Sequence, residues 1–333
     1  MDSGTAHGKG DPSATERRAI RASEAGNETS LAMIVARRYY QGDESKIHIG
    51  QSLGISRFQV ARLLHEARRQ GLVRIEIGSP GRVDEELSAE VAERLGLERA
   101  VVVEAHPTSA QATFDFIGEA VAAELERLVN EGDRLGLCWS RALPSMARSL
   151  RRLAPCTVIQ LSGAVYPPDG LPGSVEVVRA VAEVSDGTAH ALYAPLIVPD
   201  TETAEGLRRI PEIAATLAHA DRLDVAVVAV GAWSSTTSNA FPLVTQPERR
   251  QLANLGVCGE VAGRLLDVHG QPVATFLDDR VIGVSLATLR AAANLLMSSQ
   301  GLQRRDATLA AVRARLAHTL VVDDELARAL IRS

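Results

Sequence analysis

Ser56, Arg57, Phe58, Gln59 and Arg62 stand within one turn or so of each other and are the side chains best equipped to read another polymer. Arginine pairs bidentately with guanine and glutamine with adenine in the major groove, and a helix start presents such residues to base edges. Val60, Leu63, Leu64 and Ala67 repeat at the 3, 4, 7 spacing of an amphipathic helix, so the polar set faces outward. Ser56 suits the N-cap, where its hydroxyl accepts from a backbone N–H. A reading helix needs a partner to hold it. Ile47, Ile49 and Leu53 supply a short preceding helix, Gly54 the turn, Ile55 a plug, and Gly50 a small residue where two helices approach. Gly71 is placed to close the second helix, and Leu72 to Ile77 alternates as a strand, in the manner of a wing. An αα-hairpin with merely solvated arginines is the alternative. Small residue, turn glycine, cap and basic face coincide here, which favours a DNA-reading winged helix-turn-helix.

The 333 residues are 46% hydrophobic and 23% charged, enough for two domains and a sizeable core. Net charge is −5, but residues 1–80 hold 12 Lys/Arg against 9 Asp/Glu and the remainder 24 against 32. A basic module joined to an acidic one fits DNA binding at one end and another task at the other. Cys138, Cys156 and Cys258 lie far apart in apolar contexts, with neither disulfide nor zinc spacing. No metal and no cofactor is expected. With no apolar run of membrane-spanning length and no signal-peptide pattern, a cytoplasmic protein without membrane partners is expected.

The expected division is a disordered tail over 1–28, the DNA-binding module over 29–78 and a larger domain over 79–333, with GSPG (78–81) as punctuation. The larger domain predicts strands over 99–104, 134–139, 157–161, 191–198, 224–230, 272–276, 281–284 and 318–322. Helices are predicted over 83–97, 111–131, 143–153, 173–184, 204–220, 246–255, 286–298 and 306–315. Short Val/Leu/Ile strands alternating with helices imply an α/β fold, a doubly wound and mostly parallel sheet covered on both faces. In such sheets a ligand sits beyond the carboxyl ends of the strands. The loops there are Ser140–Ala142, Ser162–Ala164, Gly231–Asn239 and Asp323–Glu325.

The chain resembles the SorC family of bacterial sugar-responsive transcriptional regulators, related to DeoR-type repressors. The resemblance rests on LGISRFQVARLLHEARRQGLVRIEI in the DNA module. In the larger domain it rests on GDRLGLCWSRAL (132–143), VIQLSG (158–163), GVCGEVAGRLLDVHGQPV (256–273), DRVIGVSLATLR (279–290) and LVVDDELARAL (320–330). It implies a winged helix joined to an effector domain like that of sugar-phosphate isomerases, binding double-stranded operator DNA and a sugar, polyol or sugar phosphate as a tetramer or dimer. It further implies Ser140 and Arg141 in a phosphate turn, Gly163 in a second binding turn, and Glu260 accepting sugar hydroxyls. Gly301 and Arg304 fall where the family has a glycine pair and a lysine, and Asp323 lies in the loop near the end. The sequence departs from the pattern at Ser140, Ala142, Ala164, Gln300, Arg304 and Val322. A neutral polyol or a sugar acid therefore fits about as well as a phosphate, because close backbone approach to an anion favours glycine. The alternative is a sugar-phosphate isomerase or deaminase with an appended helical module. Against it, the histidines have no acid or nucleophile at a catalytic spacing. No catalytic residue is assigned.

Overall fold

The computed structural model describes residues 30–40, 42, 44–69, 72–73, 83–105, 109–167 and 170–332, and the chain divides between residues 79 and 80 into two compact units. The expected tail, the Gly71 cap, the wing strand beyond Val73 and the GSPG punctuation lie outside the described residues.

The first unit holds three helices, α1 over residues 30–40, α2 (Lys46–Leu53) and α3 (Arg57–Arg69). Ala32, Val35 and Ala36 of α1, Ile49 of α2, and Val60, Leu63, Leu64 and Ala67 of α3 form one buried cluster. The 3, 4, 7 face read from sequence is the buried one. Arg38 ties α1 to α2, donating to Glu44 Oε1 at 2.7 Å and to Ser52 Oγ at 2.6 Å. Gly54 ends α2 in the left-handed region (φ 68°), its N–H donating to Gly50. A Cβ on Gly50 would meet the Ile55 carbonyl oxygen at 2.7 Å, so only glycine lets α2 lie against this turn. Gly50→Val should therefore destabilise the unit by about 1–3 kcal/mol through overpacking, read as a lower denaturant midpoint for its transition.

In the second unit the elements run α4 (Glu85–Leu95), β1 (Arg99–Val103), α5 (Ala110–Leu128), β2 (Arg134–Leu137), α6 (Leu143–Ser149), β3 (Thr157–Gln160), α7 (Ser174–Val184), β4 (Thr188–His190), α8 (Thr201–Arg208), α9 (Pro211–His219), β5 (Val225–Ala232) and α10 (Gln246–Asn254). They continue with β6 (Val257–Val261), β7 (Arg264–Asp267), α11 (Leu277–Arg280), α12 (Leu286–Arg290), β8 (Asn294–Ser299), α13 (Arg305–Arg313), β9 (Thr319–Asp323) and α14 (Asp324–Ile331). Seven strands pair in parallel in the order β1-β9-β8-β5-β2-β3-β4, and the β6–β7 hairpin extends antiparallel from the far end of β5. From β2 the chain steps outward to β3 and β4, returns to β5, and then steps outward the other way to β8 and β9. The order reverses between β2 and β5. Side chains alternate between two cores: Ala100, Val102, Ala226 and Val228 pack on one face, and Val101, Val103, Val225 and Val227 on the other. Both faces being buried, the strands read as unbroken apolar runs. Among the described residues no helix is long and apolar enough to cross a membrane.

Five predicted elements differ. The stretch 286–298 is a short helix, α12, followed by the central strand β8. Residues 191–198 form no strand; Ala164–Pro195 and Ile197–Val281 are single bridges, and Pro195 and Pro199 have no N–H to give a ladder. Residues 272–276 and 281–284 likewise make only isolated bridges. The helix predicted over 204–220 is two, broken before Pro211. The hairpin β6–β7 and the helix α14 were not predicted at all.

Candidate ligand cavity and nucleic-acid-reading helix

At the start of α3, Ser56 Oγ accepts from the Gln59 N–H at 3.1 Å, and Gln59 Oε1 accepts from the Ser56 N–H at 2.8 Å. This reciprocal pair is a capping box. The Gln59 carbonyl oxygen, expected to face a base edge, is here folded back onto the helix end. Arg57, Phe58 and Arg62 remain on the exposed face; Phe58 is 75% exposed, and the Arg57 guanidinium lies 5.3 Å from the centre of its ring.

In the second unit a cavity of about 530 Å³ opens where the strand order reverses, at the carboxyl ends of β2, β5 and β8. Of the predicted residues, Ser140, Arg141, Glu260 and Arg304 line it together. Ser140 and Arg141 leave β2, Glu260 sits on β6 opposite Gly231 of β5, and Arg304 follows β8. The β6–β7 turn, Ala262–Gly263, has positive φ at both residues (54° and 78°), as a two-residue hairpin turn requires. That turn brings the Gly263 N–H onto Glu260.

The Glu260 carboxylate is 3% exposed and makes no ion pair within 4 Å among the described residues. Oε1 accepts from Ser238 Oγ at 3.2 Å and from the Asn239 N–H at 3.0 Å; Oε2 accepts from the Gly263 N–H at 2.8 Å. Burial pushes its pKa up, while these donors pull it down. Arg264, four residues on in the sequence, does not pair with Glu260. Arg264 instead donates to the carbonyls of Asp278 and Val284 and faces the Asp278 carboxylate at 3.5 Å.

Arg304 is held by donation to the Gln300 backbone carbonyl, and its pKa is lowered by burial, with Asp323 opposing the shift and Arg141 adding to it. Two guanidiniums thus bear on one cavity. Among the described residues three buried side-chain atoms have no hydrogen-bond partner, and two of them, Ser140 Oγ and Gln300 Oε1, belong to lining residues. Leaving such an atom unsatisfied costs about 1–3 kcal/mol, which a ligand hydroxyl would recover. Ser238, Asn239 and Gln300 are site residues the sequence reading missed, although the loop Gly231–Asn239 was marked; Ser238 accepts from the Ala240 and Phe241 N–H groups and so shapes that loop.

Gly163, Gly301 and Asp323 do not line the cavity. A Cβ on Gly163 would lie 2.3 Å from the Pro195 carbonyl oxygen, so this glycine serves close packing of two backbone segments. Asp323 caps α14 through the Leu326 N–H at 2.9 Å and accepts from the Gly301 N–H at 2.6 Å, where φ is 82°. This brace positions the Gln300–Arg304 segment from behind. Among the described residues no histidine lines the cavity, and no group of three potential metal ligands occurs. His190 and His219 stack 3.7 Å apart beside a separate 240 Å³ cavity next to β4.

Residues 82–332 match the family described as "Putative sugar-binding domain". The chain is 27% identical to the transcriptional regulator YjhU of Escherichia coli K12 over 305 residues, 88% of this chain and 92% of that one. It is 25% identical to the sorbitol operon regulator of Klebsiella pneumoniae, covering 93% of this chain and all of that one. The crystal structure of full-length SorC from Klebsiella pneumoniae has the same fold, with a TM-score of 0.66 at 24% identity, covering 92% of this chain and 99% of that one. These relatives are regulators, which sets the enzyme alternative aside. The chain belongs to the sugar-binding domain family, as a SorC-type, DeoR-like transcriptional regulator.

Proposed function

We propose that the chain binds double-stranded operator DNA through the start of α3 and a carbohydrate effector in the cavity at the strand-order reversal. The effector is a sugar, polyol or sugar phosphate, and its binding changes operator affinity. The observation that carries this reading is the convergence of Ser140, Arg141, Glu260 and Arg304 on one cavity, with the Ser140 hydroxyl and the Gln300 side-chain Oε1 awaiting partners. Gly163, Gly301 and Asp323 support that site through the backbone and do not touch the ligand. The domains are 29–78 for DNA and 79–333 for effector binding and self-association, in a dimer or tetramer acting in the cytoplasm. Two copies would set two α3 helices on operator half-sites, and the effector would bias their spacing.

On the DNA side, Arg57 and Arg62 read bases, Phe58 contacts the groove wall, and the Ser56–Gln59 capping box holds them in place. Arg57→Ala should cost about 1–3 kcal/mol of operator affinity and narrow the preference over random DNA, with the fold intact. Gln59→Ala should instead act through the helix start, lowering stability by about 0.5–2 kcal/mol. Fluorescence anisotropy with operator and scrambled duplexes, alongside denaturation curves, separates the two. Equal operator preference in wild type and Arg57→Ala would move the reading to another element.

A further inference from the structure

The cavity has two chemically different ends. Gln300 and Arg304 follow β8, Glu260 stands on β6 opposite Gly231 near the end of β5, and Ser140 and Arg141 follow β2. On the other side of β2 the lining comes from the segment after β3, with Ala164, Val165 and Tyr166, and from Leu196 and Ile197 beside it. The two segments are joined by the Ala164–Pro195 bridge and by the Ala164 N–H donating to the Ala194 carbonyl at 2.7 Å. In the sheet, β8 and β3 are separated by β5 and β2, three strand spacings or about 14 Å.

Among the described residues, the β3 end brings no charged side chain to the lining. Its one hydroxyl is on Tyr166, which is 78% exposed, whereas Leu196 is 2% exposed and packs with Leu265 and Val281. A sugar hydroxyl or phosphate reaching that wall would lose its water without gaining partners, an unfavourable exchange. An apolar group there is favoured by burial. The volume, about 530 Å³, is in the range that encloses ligands larger than one sugar ring.

We infer that the effector is a carbohydrate conjugate: a polyhydroxylated head at Ser140, Arg141, Glu260 and Arg304, joined to an apolar group of ring size lying on Val165, Leu196 and Ile197. This rests on the proposed placement of the head. The test is calorimetric titration of the full chain with matched methyl and phenyl β-glycosides of the common hexoses and pentoses, each with and without a terminal phosphate. For the sugar that binds, the phenyl glycoside should bind at least tenfold tighter than the methyl one. Val165→Asp should bring that ratio to within threefold. Tyr166→Ala, at an exposed position that leaves the core untouched, should also lower it and stands in if Val165→Asp fails to fold. Equal binding within every pair would overturn the apolar end while leaving the head site standing. A phenyl preference that survives both substitutions would overturn its placement. No binding by any pair would overturn the head site and this inference together.

Discussion

Glu260→Gln is expected to lower effector affinity at least tenfold while leaving operator binding without effector unchanged. The carboxylate receives donors on both oxygens, from Ser238 and Asn239 on one side and from Gly263 on the other. An amide cannot satisfy both sides. Whichever way it turns, its NH₂ group faces an N–H or O–H that needs an acceptor, at about 1–3 kcal/mol per unsatisfied buried group. The loop over Ser238–Ala240 would move off the hairpin turn, and the ligand would lose a charged acceptor, whose hydrogen bonds are the stronger kind. The first unit is untouched. Calorimetry with the best-binding carbohydrate reads the loss, and a melting curve shows whether the second unit keeps its fold. Wild-type effector affinity in a folded Glu260→Gln protein would place the site elsewhere.

Leu63→Ala is expected to destabilise the first unit by about 2–5 kcal/mol through the cavity it leaves. Leu63 is 4% exposed and belongs to a cluster of eight buried residues among those described, so few neighbours can collapse into the gap. A small unit has little stability in reserve, and a loss of this size can unfold it. Operator binding should fail at temperatures where the second unit is still folded and binds ligand. Denaturation followed separately by operator binding and by tryptophan fluorescence distinguishes the two units, since Trp139 and Trp233 both lie in the second. An unchanged midpoint for DNA binding would contradict the buried face assigned to α3.

The parts of the fold legible in the sequence were those where pattern and turn chemistry agreed. Gly50, Gly54, Ser56 and the Val60–Ala67 face specified α2, the turn and α3 together. Strands such as β5 and β9 were visible because Val-rich runs were bounded by helical stretches. β8 was hidden for the opposite reason. Its sequence, Asn294-Leu-Leu-Met-Ser-Ser299, follows an Ala-rich run and is buried on both faces, so it shows no alternation and reads as a continuing helix. The β6–β7 hairpin turns at Ala262–Gly263, and alanine at positive φ is not a turn signal that propensity offers. In the site, Arg141, Ser140, Glu260 and Arg304 were reached through the resemblance. Gly163 and Asp323 lie outside the cavity lining, because a glycine after a strand, or an acid at a helix start, serves backbone packing or capping as readily as a ligand. Gln300, noted in the sequence only as a departure from the family pattern, stands out in the structure through its side-chain Oε1, buried without a partner.

The central claim is that ligand in the cavity at the β2–β5 reversal and DNA on α3 are thermodynamically coupled. The most direct measurement is a titration of operator DNA, taken from upstream of the chain's own gene, at increasing concentrations of the carbohydrate that binds most tightly. Operator affinity should change by about 5–150-fold, saturating at the concentration at which the cavity fills, and operator should change carbohydrate affinity by the same factor. A carbohydrate that saturates the cavity and leaves operator affinity unchanged would contradict the account.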